Sequence, residues 1–310
     1  MHEDGGATRT LACRSCGAAV EVDAQIVSTS CGYCASKLVD VELASPRIDR
    51  VAPFRISRRA AQARLAEHLA RRWWAPEGLR RAAKSGRLRA ERLRGVLVPF
   101  YAYDATCRSR YRAQIGVHWY REQTRQNDKT GKTETYTVQE TEWFPLQGTS
   151  VVQLVDHLVP ATAGLSEPET RRLAPFDLGR AVRFDPHLCA GFEAELPTRP
   201  RGEVDADAAA QLRLQEARRI DREVLPGDTA RRTHVETDVT VDAVRLVLMP
   251  VWVVAYRFGG KVHRTLVHGQ TARCVGKVPI SAAKVTVAAA TVAAVTLLVL
   301  WKTGVLPWLS

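Results

Sequence analysis

Cys13-Arg-Ser-Cys16-Gly17 and Cys31-Gly-Tyr-Cys34 form two CxxC pairs that decide how the first forty residues fold. Each CxxC turn directs two sulfur atoms at one centre, which suits the tetrahedral coordination of zinc. Gly17 is a small residue that lets a backbone N–H turn back toward sulfur. We therefore predict a zinc ribbon over residues 11–40 that binds one structural Zn²⁺, with four ligands: Cys13, Cys16, Cys31 and Cys34.

The residues between the two pairs alternate in polarity around Val20, Val22, Ile26 and Val27, which predicts a small hairpin. So short a module has little core, so the metal would supply its folding energy. A redox dithiol pair is the alternative, although such a pair is more typical of a single CxxC on a βαβ unit. In a reducing compartment, paired CxxC motifs indicate metal more than disulfide.

The predicted ribbon is acidic, which bears on what it contacts. Residues 11–40 carry Arg14 and Lys37 against Glu21, Asp23 and Asp40. Four thiolates on Zn²⁺ would add about two negative charges. The module therefore lacks the cations that grip phosphate, and nucleic acid is an unlikely partner. A protein-contacting or purely structural ribbon is favoured.

Val285–Trp301 reads VTVAAATVAAVTLLVLW, an uncharged stretch between Lys284 and Lys302. As a helix it would extend about 25 Å, slightly less than the ~30 Å hydrocarbon core of a bilayer. Apolar neighbours and snorkelling lysines would extend the usable length. We predict a single transmembrane helix over residues 280–303, followed by a short tail at 304–310. A buried core helix is the alternative.

This span would set the location of the whole chain. Residues 1–10 contain no apolar segment of a secretory signal, and we predict that they form a disordered tail. Arg and Lys are plentiful before the span and nearly absent after it, in agreement with the positive-inside rule. We therefore expect a single-pass protein of the cell membrane with its N-terminal head in the cytoplasm.

The net charge of +12 is concentrated between Arg47 and Arg94, where fifteen Arg and Lys residues face four acidic ones. Three interpretations stay open for this segment. The arginines could form a solvated helix face or a patch that binds anionic lipid headgroups. A surface that binds nucleic acid is the less favoured third interpretation. A tether to the membrane would place the patch near anionic lipid.

The remaining residues predict a mixed head domain at 57–279, joined to the ribbon by a linker at 41–56. Ser57 is a plausible N-cap for a helix with an apolar face at Ala61, Leu65, Leu69 and Trp73. Further helices are predicted at 79–93 and 203–224, and strands at 96–106, 111–119, 135–144, 233–241, 244–258 and 261–267. We predict an α+β fold with an antiparallel sheet.

Two stretches of the head resemble each other. Val96–Ala102 (VLVPFYA) and Val247–Val253 (VLMPVWV) each follow a predicted helix and precede a predicted hairpin. A divergent internal duplication would explain the similarity, and a coincidence between two apolar strands would explain it equally well.

Motifs of catalysis are not found in the sequence. It shows no nucleophile elbow, no HExxH and no Rossmann glycine pattern. Gly131-Lys132-Thr133 lacks the upstream glycine of a phosphate-binding loop, and we assign it to a polar hairpin loop. Asp156-His157 and Asp185-Pro-His187 have no nucleophile beside them. We predict a protein that is not an enzyme and takes no small-molecule substrate.

Several segments together resemble a bacterial family of zinc-ribbon membrane proteins that are often labelled as similar to primosomal protein N′, or replication factor Y. These segments are the ribbon, 51–57 (VAPFRIS), 72–76 (RWWAP), 95–101 (GVLVPFY), 158–162 (LVPAT), 249–252 (MPVW) with 256–258 (YRF), and 267–271 (VHGQT). The chain has no room for a helicase motor.

The resemblance implies an adaptor. Some members of the family are similar to membrane anchors encoded beside phage-shock-protein-A and SPFH (stomatin-like) proteins. It implies that the four cysteines are zinc ligands and that no residue is catalytic. Ala35 stands where the second knuckle often has Gly, a mild departure. We expect a membrane-anchored cytoplasmic adaptor that recruits protein partners, with membrane-tethered nucleic-acid binding as the alternative.

Overall fold

The computed structural model describes residues 7–40, 48–86, 90–126 and 133–302. The first six residues, much of the linker predicted at 41–56, the tip of the loop around Gly131 and the predicted tail at 304–310 lie outside these ranges. The chain divides into two compact units. Unit 1 contains residues 1–99, 162–198 and 247–310, and unit 2 contains residues 100–161 and 199–246.

The fold is mostly β, with 46% strand and 28% helix, and the expected α+β class with a C-terminal transmembrane helix is wrong. Two strands, β6 (Ala90–Gln126) and β10 (Thr229–Phe258), each contribute residues to both units. The other elements of unit 1 are β1 (Thr8–Ala12), β2 (Ala19–Asp23), β3 (Ile26–Ser30), β4 (Lys37–Val39), β5 (Arg50–Val51), α1 (Arg58–Arg71), α2 (Glu77–Lys84), α3 (Glu167–Leu173), β8 (Val182–Arg183), β9 (Glu193–Glu195), β11 (Lys261–His268), β12 (Cys274–Gly276) and α5 (Ala282–Lys302).

Strand pairing in unit 1 is mainly antiparallel. β11 lies between β12 and the last part of β10, and the turn Gly259-Gly260 joins β10 to β11. β3 pairs with β4 and with β9, and β5 pairs with β8. Two short parallel contacts join β9 to β6 and β5 to β10.

Unit 2 is built on a long hairpin covered by a helix. β7 (Thr133–Pro160) pairs with β6 from Phe100 opposite Pro160 to Gln126 opposite Thr133. Helix α4 (Arg201–Arg219), continued by a π-helical turn at Ile220–Val224, buries its apolar residues against this hairpin. The core of unit 2 includes Tyr103, Val159, Val204, Ala208 and Leu212.

Polar residues explain why the strands are longer than the sequence predicts. Asp242 was expected to interrupt a strand, but it accepts a hydrogen bond from Thr106 Oγ1 at 2.8 Å. Arg121 lies outside the strands predicted at 111–119 and 135–144, but it pairs with Glu140 across β6 and β7 at 2.6 Å. Such cross-strand pairs stabilise a ladder whose residues look like a loop in a single sequence.

The predicted capping and apolar face of α1 are confirmed. Ser57 Oγ accepts from the Ala60 N–H at 3.2 Å, and Ala61, Leu65 and Leu69 are buried. Trp73 was predicted on the same face, but the helix ends at Arg71 and this side chain is 56% exposed.

The C-terminal helix α5 forms, but the prediction that it crosses a membrane is wrong. Among the described residues, none of the helices combines the length and the apolar character that a bilayer crossing requires. Eight of the seventeen residues of the run are alanine or threonine, and each of these contributes less apolar surface than leucine or isoleucine would. The expected single-pass localisation in the cell membrane therefore has no support.

The start of α5 is fixed to the corner between α1 and α2. Lys284, expected to snorkel at a membrane surface, donates through Nζ to the carbonyl oxygens of Trp73 at 2.6 Å and Ala75 at 3.1 Å. The Ser281 N–H donates to the Trp74 carbonyl at 2.8 Å. The charge that bounds the apolar run thus has a structural role in unit 1.

Three of the quoted segments, 51–57, 249–252 and 267–271, meet in unit 1. Phe54 stacks on Phe192 with ring centroids 4.2 Å apart, and Trp252 lies against Phe54 at 4.7 Å. The Trp252 Nε1–H donates to the Ile56 carbonyl at 2.9 Å. The Gly269 N–H donates to the Pro250 carbonyl at 2.9 Å. These segments therefore have a packing function.

His268 in the third of these segments is a neutral, buried anchor. Its Nδ1 accepts from the Gln270 N–H at 3.0 Å, and its Nε2 lies 3.1 Å from the Pro175 carbonyl, to which it donates. The ring stacks on Phe176 at 4.1 Å. Burial lowers the pKa of His268 to about 4, so the imidazole stays uncharged near neutral pH.

The two similar stretches at 96–102 and 247–253 begin two hairpins in the same register. Phe100 lies opposite Pro160 in unit 2, and Val251 lies opposite His268 in unit 1. Phe100 and Val251 occupy equivalent places in the two stretches. This register fits an internal duplication, which stays a prediction.

Candidate metal centre

Each CxxC pair lies in the turn of its own hairpin. The pair Cys13 and Cys16 lies between β1 and β2, which pair from Thr8 opposite Asp23 to Ala12 opposite Ala19. The second pair lies between β3 and β4. The sequence predicted a hairpin between the two CxxC motifs, but its two runs, β2 and β3, belong to different hairpins. The alternation of polar and apolar residues correctly predicts these two strands, but it does not predict which strands they pair with.

The backbone of the two turns is nearly the same. In the first, Gly17 N–H donates to the Cys13 carbonyl at 2.8 Å, and in the second, Ala35 N–H donates to the Cys31 carbonyl at 2.9 Å. Gly17 has φ +74° and Ala35 has φ +57°, both in the left-handed region. This conformation costs an alanine roughly 1–2 kcal/mol that a glycine avoids.

Ala35→Gly should therefore stabilise the ribbon by about 0.5–1 kcal/mol, because relief of the left-handed strain outweighs the greater freedom of glycine in the unfolded chain. Gly17→Ala, the matched change in the other turn, should destabilise it by about 1 kcal/mol. Amide hydrogen exchange of β1–β4 in the metal-loaded protein measures both effects. Equal shifts of the same sign would contradict this explanation.

The four sulfur atoms lie together at a spacing that fits a metal. All four lie within 4.8 Å of one another. Cys13 Sγ is 3.6 Å from Cys34 Sγ, and Cys16 Sγ is 3.7 Å from Cys31 Sγ. Four sulfurs at about 2.3 Å from one zinc ion would be roughly 3.8 Å apart, whereas a disulfide requires about 2.05 Å. The four cysteines could therefore bind a metal ion.

Ser36 is the residue of this site that the sequence analysis missed. Its Oγ lies 3.0 Å from both Cys13 Sγ and Cys34 Sγ. This hydroxyl is the main cause that lowers the pKa of Cys13 to about 6, and it also lowers the pKa of Cys34. A hydroxyl two positions after the last cysteine, where the first turn has Ala18, is the signal that could have revealed it.

The ribbon is joined to the rest of unit 1 through its second hairpin. β3 pairs with β9, with Ser28 opposite Ala194. Ser28 Oγ donates to the Cys189 carbonyl at 2.9 Å, and the Leu196 N–H donates to the Gln25 carbonyl at 2.9 Å. The second CxxC pair therefore sits on a strand that belongs to a larger sheet.

The acid–histidine pairs considered in the sequence have structural roles. Asp156 binds Arg245 at 2.8 Å, and the same guanidinium holds Asp104 at 2.7 Å. Asp185 Oδ1 accepts from the His187 N–H at 2.9 Å and caps a short 3₁₀ helix. Neither geometry places a nucleophile beside a histidine.

Part of the positive charge between Arg47 and Arg94 is neutralised locally. Glu67 pairs with Arg64 at 2.9 Å and with Arg71 at 2.7 Å on the surface of α1. Arg94 pairs with Glu193 at 2.9 Å. Ion pairs of this exposed kind contribute little stability. The three interpretations of this segment, a solvated face, a lipid patch or a nucleic-acid surface, stay open.

Comparison with known proteins gives one distant relative to report. The Bacillus subtilis (strain 168) protein named Uncharacterized protein YdjG is 27% identical over 246 residues. The match covers 76% of this chain and 65% of YdjG, so this chain spans less than two thirds of the relative's length. No family model matches the chain. No solved structure matches it either. The chain is thus similar to YdjG over most of its own length, and its membership of the zinc-ribbon family stays a prediction.

Proposed function

We propose that Cys13, Cys16, Cys31 and Cys34 bind one structural Zn²⁺. The support is the donor set and its spacing, since four thiolates in a tetrahedral arrangement select zinc or an iron–sulfur cluster. Two backbone-defined turns that face each other are typical of a closed structural site, which leaves no position open for catalysis. The ion would hold the two hairpins of the ribbon together.

We propose further that the protein is an adaptor that uses this ribbon to recruit protein partners. The observation that carries the proposal is Tyr33, which is 78% exposed at the tip of the second turn. Its backbone N–H donates to Cys31 Sγ at 3.4 Å, so the metal site would fix the tyrosine backbone. Tyrosine on a rigid support is favoured in protein interfaces because it buries a large area at low entropic cost.

The charge of the ribbon argues for protein rather than nucleic acid. Arg9 is neutralised by Asp40 and also donates to the Ile26 carbonyl at 2.6 Å. Arg14 and Lys37 remain against Glu21 and Asp23, and a Zn²⁺ with four thiolates would add about two negative charges. Phosphate backbones bind to clusters of lysine and arginine. This module has no such cluster among its described residues.

A second aromatic surface in unit 1 supports the same function. Trp73 and Trp74 are 56% and 46% exposed and meet edge to face with ring centroids 4.6 Å apart. Lys284 Nζ lies 5.6 Å from the centre of the Trp73 ring. Exposed tryptophans beside a cation are enriched at protein interfaces.

Affinity capture with the full chain tests the adaptor function. We expect wild type to retain protein partners and Tyr33→Ala to lose them by about tenfold, which is the effect of removing an interface anchor. The metal content of Tyr33→Ala should stay that of wild type, because the phenol is not a ligand. Quantitative mass spectrometry of the captured proteins measures the loss.

Tyr136→Ala is the matched control, because Tyr136 is also exposed and lies on unit 2. This variant should retain the partners that Tyr33→Ala loses. Equal capture by all three proteins would contradict a role for the ribbon tip. Recovery of DNA or RNA whose binding falls steeply with salt would favour the alternative, a nucleic-acid-binding ribbon protein.

A further inference from the structure

A cleft in unit 1, apart from the ribbon, lies between the second half of α1 and the chain leading into β12. Its volume is about 340 Å³, and Cys274 and Ala272 form one side of it. The α1 residues that line it are Arg64, Glu67, His68 and Arg71, and Arg72 lines it directly after the end of the helix. A volume of this size is within the range of small-ligand sites.

The charges around this cleft are unbalanced. Glu67 is shared by Arg64 and Arg71, so one carboxylate faces two guanidinium groups. Arg72 makes no ion pair with a carboxylate in the described part of the chain. Three arginines against one glutamate leave the cleft with two uncompensated positive charges.

His68 has a buried ring nitrogen without a hydrogen-bond partner among the described residues. Its Nε2 is enclosed and makes no hydrogen bond with any described residue. Native proteins rarely leave a buried ring nitrogen without a partner. Burial, and next the charge of Arg72, lower the pKa of His68. An anion bound in the cleft would offset the positive charge of Arg72 that acts on this ring.

We propose that this cleft binds a phosphomonoester group. At neutral pH such a group carries between about 1.5 and 2 negative charges and three acceptor oxygens. These charges match the excess of the cleft, and the oxygens match the fork of Arg72. Guanidinium groups bind phosphate through paired, charge-assisted hydrogen bonds. Binding at this site is independent of the ribbon and of the adaptor function.

Calorimetric titration of the full chain with inorganic phosphate at constant ionic strength tests the proposal. We expect saturable binding with a dissociation constant of roughly 0.1–1 mM, the affinity of a few charge-assisted hydrogen bonds. Arg72→Gln should weaken it about tenfold, because the shorter, neutral glutamine removes the charge and the fork. Arg72 is exposed, so the variant should keep the wild-type fold, which circular dichroism verifies.

Arg59→Gln is the matched control, because it removes the same charge from helix α1, which Arg72 directly follows, at a position outside the cleft. It should change the affinity by less than about twofold. Equal weakening by both variants would reduce the binding to general electrostatic attraction and overturn the proposal. Binding that does not saturate by about ten times the expected dissociation constant would overturn it as well.

Two sources of the phosphate are separated by a second measurement, co-sedimentation with phosphatidylcholine vesicles that contain phosphatidic acid. Co-sedimentation that Arg72→Gln abolishes and Arg59→Gln preserves would support a lipid headgroup as the source. Phosphate binding in solution without co-sedimentation would support a soluble phosphomonoester.

Discussion

Replacement of Cys16 and Cys34 by serine should remove the metal and unfold the ribbon. These two cysteines are exposed, whereas Cys13 and Cys31 are buried in the small core of the module. The double variant therefore removes two ligands with little change in packing. Structural zinc contributes about 10–16 kcal/mol to the folding of comparable short modules, more than the core of this ribbon can supply.

Metal analysis and amide hydrogen exchange together measure this effect. Wild type should contain one equivalent of zinc and protect the amides of β1–β4, and the double variant should contain none and lose that protection. Ser15→Ala changes the first turn without touching a ligand and should resemble wild type. A wild-type protein that contains no metal, and whose ribbon a chelator does not alter, would rule out the zinc site.

Gly269→Ala should be the most damaging single substitution in the core of unit 1. A Cβ atom at this position would lie 2.6 Å from both the carbonyl oxygen and the Cβ of Pro250. The neighbours cannot move easily, because the Gly269 carbonyl accepts from the Arg55 and Ile56 N–H groups at 2.9 Å. Overpacking against a fixed backbone should cost about 3 kcal/mol of unfolding free energy.

Gly78→Ala is the control for this effect. The added Cβ would meet the Phe258 ring at 3.8 Å, an ordinary contact, and Gly78 lies in helix α2, where alanine is the better residue. It should stabilise the protein by up to about 1 kcal/mol. Urea denaturation of both variants measures the difference. Unfolding free energies that agree within error would contradict the proposed clash at Gly269.

The cysteines of the candidate site could be predicted from the sequence because their geometry is local. A CxxC turn is defined by five consecutive residues, so its spacing alone predicts that Cys13 approaches Cys16. The left-handed conformation of Ala35 is also a local property. The structure shows that this alanine takes a φ angle that favours glycine. Ser36 is equally close in the chain, and the contrast with Ala18 at the matching position of the first turn is the signal that marks it.

Long-range pairings could not be predicted in the same way. Nothing near Ser28 indicates that β3 pairs with β9 across most of the chain. Glu216 lies on the apolar face of α4 and is fully buried, since Arg219 binds it at 2.7 Å and Ser150 donates to it at 3.2 Å. A periodicity argument takes a charged residue as solvent-facing. Only the folded partners reverse that expectation.

Apolar composition led to the largest error. Val285–Trp301 is free of charge over nearly the length of a bilayer crossing, and these two properties predict a transmembrane helix. The hydroxyls of Thr286, Thr291 and Thr296 each donate to a helix carbonyl at 2.9 Å, so polar groups recur along the helix without any charge. A run without charge does not by that fact carry enough apolar surface to cross a bilayer. The sequence of this run shows that charge is absent, which is only the first of these two requirements.

The pairing of β3 with β9 has a consequence for the order of events during synthesis. Ser28 finds its partner Cys189 only 161 positions later in the chain. Until that segment leaves the ribosome, the edge of β3 is exposed and available for wrong pairing. A metal ion bound by the four cysteines would close the two turns through residues that are all made by position 34, so the ribbon could be complete early. Zinc bound at this stage would hold the two hairpins of the ribbon together until β9 is available to pair with β3.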